Sequence, residues 1–308
     1  MEHKSMIDFI GDIHGHADKL EALLKKMGYQ LKSGVYQHPE RKVLFLGDYI
    51  DRGPAIKETL HIVRQMVENN QAIALMGNHE YNALCFNLKD PSGNFLRKHT
   101  AKNIDQYSAT LNQFKNEQTL HDDYLEWFLN LPLFYETEYY RAVHACWDEE
   151  HINKIKLLLP KQRLDSDNIK EAANKESPLY KAVEETLKGK EIALPFGHYI
   201  HDKDGTQRSK IRIKWWENPK DIDYIKFSVE DYPNLPKMPL ETSAIKDFNF
   251  YQPTEKTVFF GHYWLKGKPV MQKQNVCCLD YSVAKQGHLV AFRLNESMLF
   301  DHESFVIV

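Results

Sequence analysis

A chain of 308 residues, 42% hydrophobic and 27% charged, has an ordinary globular composition and enough length for a sizeable core, in one large domain or two small ones. Its net charge of −3 excludes a nucleic-acid-coating surface and a polybasic membrane anchor. The four cysteines form no C-x-x-C pair, so no zinc or disulfide framework is visible, which suits a reducing compartment.

The N-terminal "MEHKSMIDFIGD" holds too short an apolar stretch for a signal peptide, and no long apolar span follows; a cytoplasmic protein is expected. "MIDFI" (6–10) predicts a short buried strand. "HADKLEALLKKMGY" then puts Leu20, Leu23, Leu24 and Met27 on one helical face, with Gly28 as the stop. "VLFL" (43–46) predicts a second strand, Pro54 opens a helix striped by Ile56, Leu60, Val63 and Val67, and "AIALM" (72–76) predicts a third strand. Short apolar runs between amphipathic helices argue for a parallel sheet with right-handed crossovers. A polar stretch (88–123) leads to a helix "YLEWFLNLP" and a hairpin "LFYETEYYRAVHA". Residues 145–255 read as less regular. They hold a helix at about 178–188, the basic run "RSKIRIKWW" (208–216) and the Pro-rich "YPNLPKMP" (232–239). "TVFF" (257–260), "VCCLD" (276–280), "LVAFRL" (289–294) and "FVIV" (305–308) return to strands.

Three of the predicted strands end alike. "MIDFI" runs into "GDIHGH", "VLFL" into "GDYIDRGP" and "AIALM" into "GNHE". Ligands bind at the carboxyl ends of strands in open α/β sheets, and glycine lets the backbone turn sharply there. Asp12 and His14 stand two apart, so in extended backbone both face one side and can bind one ion. Carboxylate, imidazole and amide oxygen suit Mn²⁺, Fe²⁺ or Zn²⁺. A shared carboxylate can bridge two ions about 3.5–4 Å apart, and Asp48 is placed to do so. Metal charge would offset the crowding of Asp48, Asp51 and Arg52 at one strand end. His144, His262 and Asp280 also close predicted strands.

The ordered set GDIHG, GDYIDRG, GNHE, a later His and FGH resembles the calcineurin-like metallophosphoesterases. Within that family it is similar to the phosphoprotein phosphatase branch, which includes serine/threonine phosphatases and bacterial diadenosine tetraphosphatases. The resemblance implies an α/β fold built as a β-sandwich of two central mixed sheets flanked by helices. It implies a single domain over 1–308, with 145–255 as an irregular, substrate-shaping insertion or cap. It also implies two divalent metal ions, Mn²⁺ first, with Fe, Zn or Ni as alternatives. Asp12, His14 and Asp48 would hold the first ion, and Asp48, Asn78, His144 and His262 the second. Arg52 would clamp the phosphate, and His79, oriented by Asp51, would protonate the leaving oxygen. Asp280 would play a supporting part. A hydroxide bridging the cations would attack phosphorus in line.

Where the family has glycine after the His144 position, this chain reads Ala145-Cys146-Trp147, which puts Trp147 forward as part of the pocket wall. Arg208 and Arg212 are candidates for a second phosphate arginine, with Trp215 and Trp216 as stacking surfaces; the plain alternative for this run is a half-exposed strand. Glu80 in GNHE leans towards the protein-phosphatase-like members. Cys146 reads as a buried inert thiol. "FGHYIHD" (196–202) and "DKDG" (202–205) read as surface features rather than metal sites. The function expected is hydrolysis of phosphomonoesters in the manner of a protein phosphatase, on a phosphoprotein, phosphopeptide or nucleotide. Hydrolysis of dinucleoside polyphosphates or other nucleotides is the second reading. A non-catalytic metal-binding scaffold is the third, weakened because every expected ligand and the acid His79 are present. No membrane or nucleic-acid duplex is expected as a partner.

Overall fold

Short apolar runs closed by glycine become strands here, and amphipathic runs of ten or more residues become the helices between them. The computed structural model describes residues 6–201, 205–220, 222–246, 248–295 and 304–308. The chain opens with β1 (Met6–Ile10), α1 (Ala17–Lys26), a small hairpin of β2 (Gln30–Lys32) and β3 (Val35–Gln37), and β4 (Arg41–Phe45). α2 (Ile56–Glu68), β5 (Ala72–Ala74) and α3 (Asn78–Asn87) follow. β1, β4 and β5 are parallel, with Ile10 beside Phe45 and Phe45 beside Ala74. Their carboxyl ends therefore lie level. α1 buries Leu20, Leu23 and Leu24, and α2 buries Ile56, Leu60 and Val63, along the expected stripes.

The stretch expected to be merely polar contains α4 (Ala101–Phe114), followed by α5 (Gln118–Phe128). α4 buries only Tyr107, Thr110 and Phe114. That stripe is sparse and includes a threonine, so the sequence gives little helical signal. β6 (Phe134–Glu136) and β7 (Tyr140–Val143) form the expected hairpin.

α6 (Glu149–Leu158), α7 (Asn168–Ala173) and α8 (Pro178–Lys188) come next. Only α8 was expected; it is opened by the Ser177 cap and Pro178. Ile152 and Ile155 of α6 and Ile169 of α7 pack into the main core, so the start of the 145–255 stretch is regular. The remainder forms β8 (Glu191–Ala193), β9 (Ile200–His201), β10 (Gln207–Arg208), β11 (Lys210–Arg212), α9 (Tyr224–Phe227) and α10 (Thr242–Ile245). These surround a small core of their own that includes Ile192, Ile211, Ile213, Tyr224 and Phe227.

β12 (Thr257–Phe260), β13 (Val276–Cys278), β14 (Asp280–Tyr281), β15 (His288–Leu294) and β16 (Phe305–Ile307) complete the chain. One sheet runs β14-β15-β1-β4-β5, with β16 on β15, and the other runs β13-β12-β7-β6. Both are mixed: β15 is antiparallel to β1, and β12 is parallel to β7 while β6 is antiparallel to it. The sheets meet through Phe9, which stacks on Phe259 at 3.8 Å and meets Tyr140 edge-on at 5.1 Å. Leu44, Leu75, Ala142, Cys277 and Phe292 fill the same layer. This is the expected β-sandwich of two central mixed sheets. No helix among the described residues is long and apolar enough to cross a membrane.

Candidate metal centre

β1, β4, β5, β7 and β12 all deliver polar residues at their carboxyl ends, so five strand ends from two sheets supply one site. Crowding by the carboxylates of the site explains two of the glycines. A Cβ on Gly261 would fall 1.9 Å from Asp12 Oδ1, and one on Gly77 would fall 2.2 Å from Asp48 Oδ1. The turns continue into residues with side chains. His14 (φ 46°), Asp48 (56°), Asp51 (67°), Arg52 (68°) and His262 (73°) all adopt left-handed backbone. Each such residue costs about 1–3 kcal/mol, and such costs cluster at functional sites.

The carboxylate of Glu80 holds the strand-end loop. It accepts the N–H groups of Gly77 (3.0 Å), Asp48 (2.9 Å) and Tyr49 (2.8 Å). Burial and then the Asp48 charge push its pKa up to about 7. Glu80 thus braces backbone and is not among the residues that line the cleft.

Side chains converge on Asp48. His14 donates Nδ1–H to the Ile50 carbonyl at 3.0 Å, which turns its Nε2 to within 3.7 Å of Asp48 Oδ2. His144 is fixed in the same way by the Leu46 carbonyl at 2.7 Å, with its Nε2 3.4 Å from Asp48 Oδ1 and 3.0 Å from Asn78 Oδ1. His262 Nδ1 stands 2.6 Å from that same amide oxygen. Two donor sets result, His14–Asp48–His79 and Asp48–His144–His262, with Asp48 common to both. Asp12 falls outside these two sets, and its oxygens hold the His262 N–H at 3.1 Å. Burial, then the Asp280 and Asp48 charges, push the Asp12 carboxyl well above the usual range.

Two divalent cations fit these residues. His14 Nε2 and His262 Nε2 are buried with no hydrogen-bond partner among the described residues, a cost that a Lewis acid would remove. The donors are imidazole, carboxylate and amide oxygen, the set for Mn²⁺, Fe²⁺ or Zn²⁺. The backbone carbonyls behind His14 and His144 set the ring orientation, as carbonyls behind metal-binding histidines commonly do.

His79 and Asp51 pair at 2.5 Å through Nδ1 and Oδ2. Thr110 on α4 accepts the Asp51 N–H at 3.1 Å and donates to Asp51 Oδ1 at 2.5 Å. Burial opposes the charged imidazole, but Asp48 and Asp51 outweigh it and hold His79 above its ordinary pKa. The Arg52 guanidinium lies 4.1 Å from the centre of the Trp264 ring. Asp280 pins that loop by accepting the N–H groups of Trp264 (2.7 Å) and Ser282 (2.9 Å).

A cleft of about 510 Å³ opens over this centre, with Arg52, Trp264, Arg208 and Arg212 on its walls. Arg208 and Arg212 reach it from β10 and β11. Trp147 does not reach it. The chain turns inward after β7, so Trp147 is buried, edge-on to Phe134 at 5.5 Å and under Arg141 at 4.8 Å. Trp215 and Trp216 are buried too. They pack on Phe260, and Trp215 donates to the Ala145 carbonyl at 3.0 Å; neither offers a stacking surface. The aromatic side chains that line the cleft are Phe86, Tyr107 and Trp264; the sequence signal of Trp264 was its place two residues after His262. Thr110, Asn82, Arg97 and Gln106 also escaped the sequence reading; only Asn82, one turn after His79, carried any signal. Cys146 is buried, with its thiol pKa raised mainly by burial. His198 and His201 sit exposed on the β9 side of a small hairpin, and Asp202, Lys203 and Asp204 lie outside the described residues.

Comparison with known proteins places this geometry. The calcineurin-like phosphoesterase family matches residues 6–263. The asymmetrical bis(5'-nucleosyl)-tetraphosphatase PrpE of Oceanobacillus iheyensis is 34% identical over 153 residues, 48% of this chain and 59% of that protein. The Bacillus subtilis protein of the same name is 44% identical over 73 residues, 23% of this chain and 30% of that one. The chain therefore spans less than two thirds of these relatives' own lengths. A protein serine/threonine phosphatase from Saccharomyces cerevisiae, similar to human phosphatase PP5, shares the fold. It has a TM-score of 0.54 and 13% identity, with 100% of this chain and 80% of that one covered. Fold, strand-end residues and family match agree, and the chain belongs to the calcineurin-like phosphoesterase family.

Proposed function

We propose that this chain is a metal-dependent phosphoric ester hydrolase with two divalent cations. The observation that carries the reading is Asp48, shared between two buried donor sets whose His14 Nε2 and His262 Nε2 have no hydrogen-bond partner among the described residues. The motif resemblance gives Asp12, His14 and Asp48 to one cation, while the geometry groups His79 with His14 and Asp48 in place of Asp12; Asp48, Asn78, His144 and His262 would hold the other. When bound, the cations would lower the pKa of water and neutralise phosphate oxygens. Arg52 and Arg212 would grip the equatorial oxygens, since a guanidinium fork matches phosphate. Arg52 is held ready by Trp264, itself tied down by Asp280. His79 uses Nδ1 on Asp51, which leaves its Nε2 to give a proton to the leaving oxygen, a step worth about 10²–10⁴-fold. The segment that carries β8–β11 would shape the substrate end of the cleft.

The finer reading concerns substrate. Phosphomonoester hydrolysis, expected first from the motifs, has support from those motifs alone, because the likeness to the yeast phosphatase is one of fold. The tetraphosphatase names of the relatives and the cation-lined cleft favour the second reading, hydrolysis of dinucleoside polyphosphates or related nucleotides. The test is phosphate release with Mn²⁺ from p-nitrophenyl phosphate, a phosphopeptide panel and diadenosine tetraphosphate, each with an EDTA control. We expect EDTA-sensitive turnover with the dinucleotide preferred. A preference for phosphopeptides would restore the phosphatase reading. No turnover with two metals bound would favour the scaffold.

A further inference from the structure

Four of the arginines outside the cleft are neutralised by carboxylates. Arg41 pairs with Asp8, Arg64 with Glu68 and Asp123, Arg141 with Glu136, Glu149 and Glu255, and Arg293 with Asp8. Arg97 is different. It lines the cleft, and its guanidinium donates to two neutral amides, Asn82 Oδ1 at 3.0 Å and Gln106 Oε1 at 2.8 Å. Among the described residues no carboxylate lies within ion-pair distance of it. Burial depresses its pKa, as expected of a cation short of counter-charge. An arginine oriented but not neutralised, on the wall of a cleft, is suited to an anionic ligand.

Its placement says which part of the ligand. Asn82 stands one turn beyond His79 on α3, and Gln106 one turn before Thr110 on α4. The two helices that orient Arg97 therefore also carry the acid His79 and the clamp on Asp51. Arg97 belongs to the leaving-group side of the cleft.

We propose that Arg97, aimed by Asn82 and Gln106, forms a second anion subsite that takes the next phosphate of a phosphoanhydride chain. This rests on the hydrolase reading above. One water enters. A new P–O bond forms to the attacked phosphorus, and the P–O bond to the bridging oxygen breaks. The leaving phosphate departs with that oxygen and its electron pair and takes a proton from His79 Nε2, the proton lost by the water passes to solvent, and Arg97 balances the remaining charge. A simple monoester has no group to fill the subsite.

The test compares wild type, Arg97→Gln and Arg97→Lys on diadenosine tetraphosphate and p-nitrophenyl phosphate, with Mn²⁺ in excess over total phosphate. Metal content and Tm are measured on each holoenzyme. We expect Arg97→Gln to lower kcat/KM for the dinucleotide at least about ten-fold more than for the aryl phosphate, the usual scale for a lost charged hydrogen bond. Arg97→Lys should fall between, since it keeps the charge and loses the fork. Gln106→Ala should shift the ratio in the same direction. Equal losses on both substrates, or none on either, would overturn the subsite. If wild type turns over neither substrate, the hydrolase reading fails separately. Calorimetry with inorganic tripolyphosphate and orthophosphate then decides the subsite. Tighter tripolyphosphate binding that Arg97→Gln abolishes supports it, and equal affinities overturn it.

Discussion

Asp48 carries the largest share of the site at the scale of single residues. It occupies left-handed backbone, its N–H is held by Glu80, and its carboxylate accepts the His79 N–H at 3.0 Å. That last contact places the carboxylate at the N-terminus of α3, where the helix dipole favours negative charge. Asp48→Asn keeps the shape and removes the charge that two cations would share. The expected result is loss of bound Mn²⁺ by elemental analysis, together with loss of activity. Metal stoichiometry equal to wild type would contradict the shared-ligand role. Asp48 was legible in the sequence because glycine, strand end and motif coincide there. Trp147 stays off the cleft although its neighbour His144 is at the site, because the backbone turn after β7 sends the next side chains into the core.

Among the elements, α4 is the one that pattern reading missed and the site depends on. It supplies Thr110, which fixes Asp51 and through it His79. It also supplies Gln106, which helps to aim Arg97. Thr110→Val preserves volume and removes both hydrogen bonds to Asp51, leaving a buried N–H unpaired. We expect kcat to fall about ten-fold or more, with the larger loss on substrates with poor leaving groups and with metal content unchanged. A uniform loss across leaving groups would separate Thr110 from the acid. The helix was hidden because its inward face is partly polar. A helix whose inward face meets a catalytic cleft cannot show the continuous apolar stripe by which helices are recognised.

For the whole molecule, Glu136 ties the second sheet to its surroundings. It accepts from Arg141 on β7 (3.0 Å), Lys156 on α6 (2.8 Å) and Lys256 before β12 (3.1 Å). Burial works against its charge, but Lys156, Arg141 and Lys256 outweigh burial and bring its pKa down to about 2. A folded-state pKa below the unfolded value means that the stabilisation is present above about pH 4.5. It fades as pH falls towards 2. Glu136→Gln should therefore cost about 1 kcal/mol at neutral pH, given its part exposure. The gap in denaturant midpoint between mutant and wild type should close as pH falls from about 5 towards 2. A gap independent of pH would assign the loss to packing.

The sequence by itself determined the strands of the sandwich, the helices α1, α2 and α8, and the ordered set of strand-end residues. Those features are local: an apolar run, a period of 3.6, a glycine followed by a carboxylate or histidine. Only the tertiary structure decided that Trp264 and not Trp147 lies at the cleft, which helices brace His79 and Asp51, and that Arg97 meets amides and, among the described residues, no carboxylate. These depend on contacts between residues far apart in the chain, such as Asp51 with Thr110 and Trp264 with Asp280. No periodicity records such pairs, because a residue's partner across the core leaves no trace in its own neighbours.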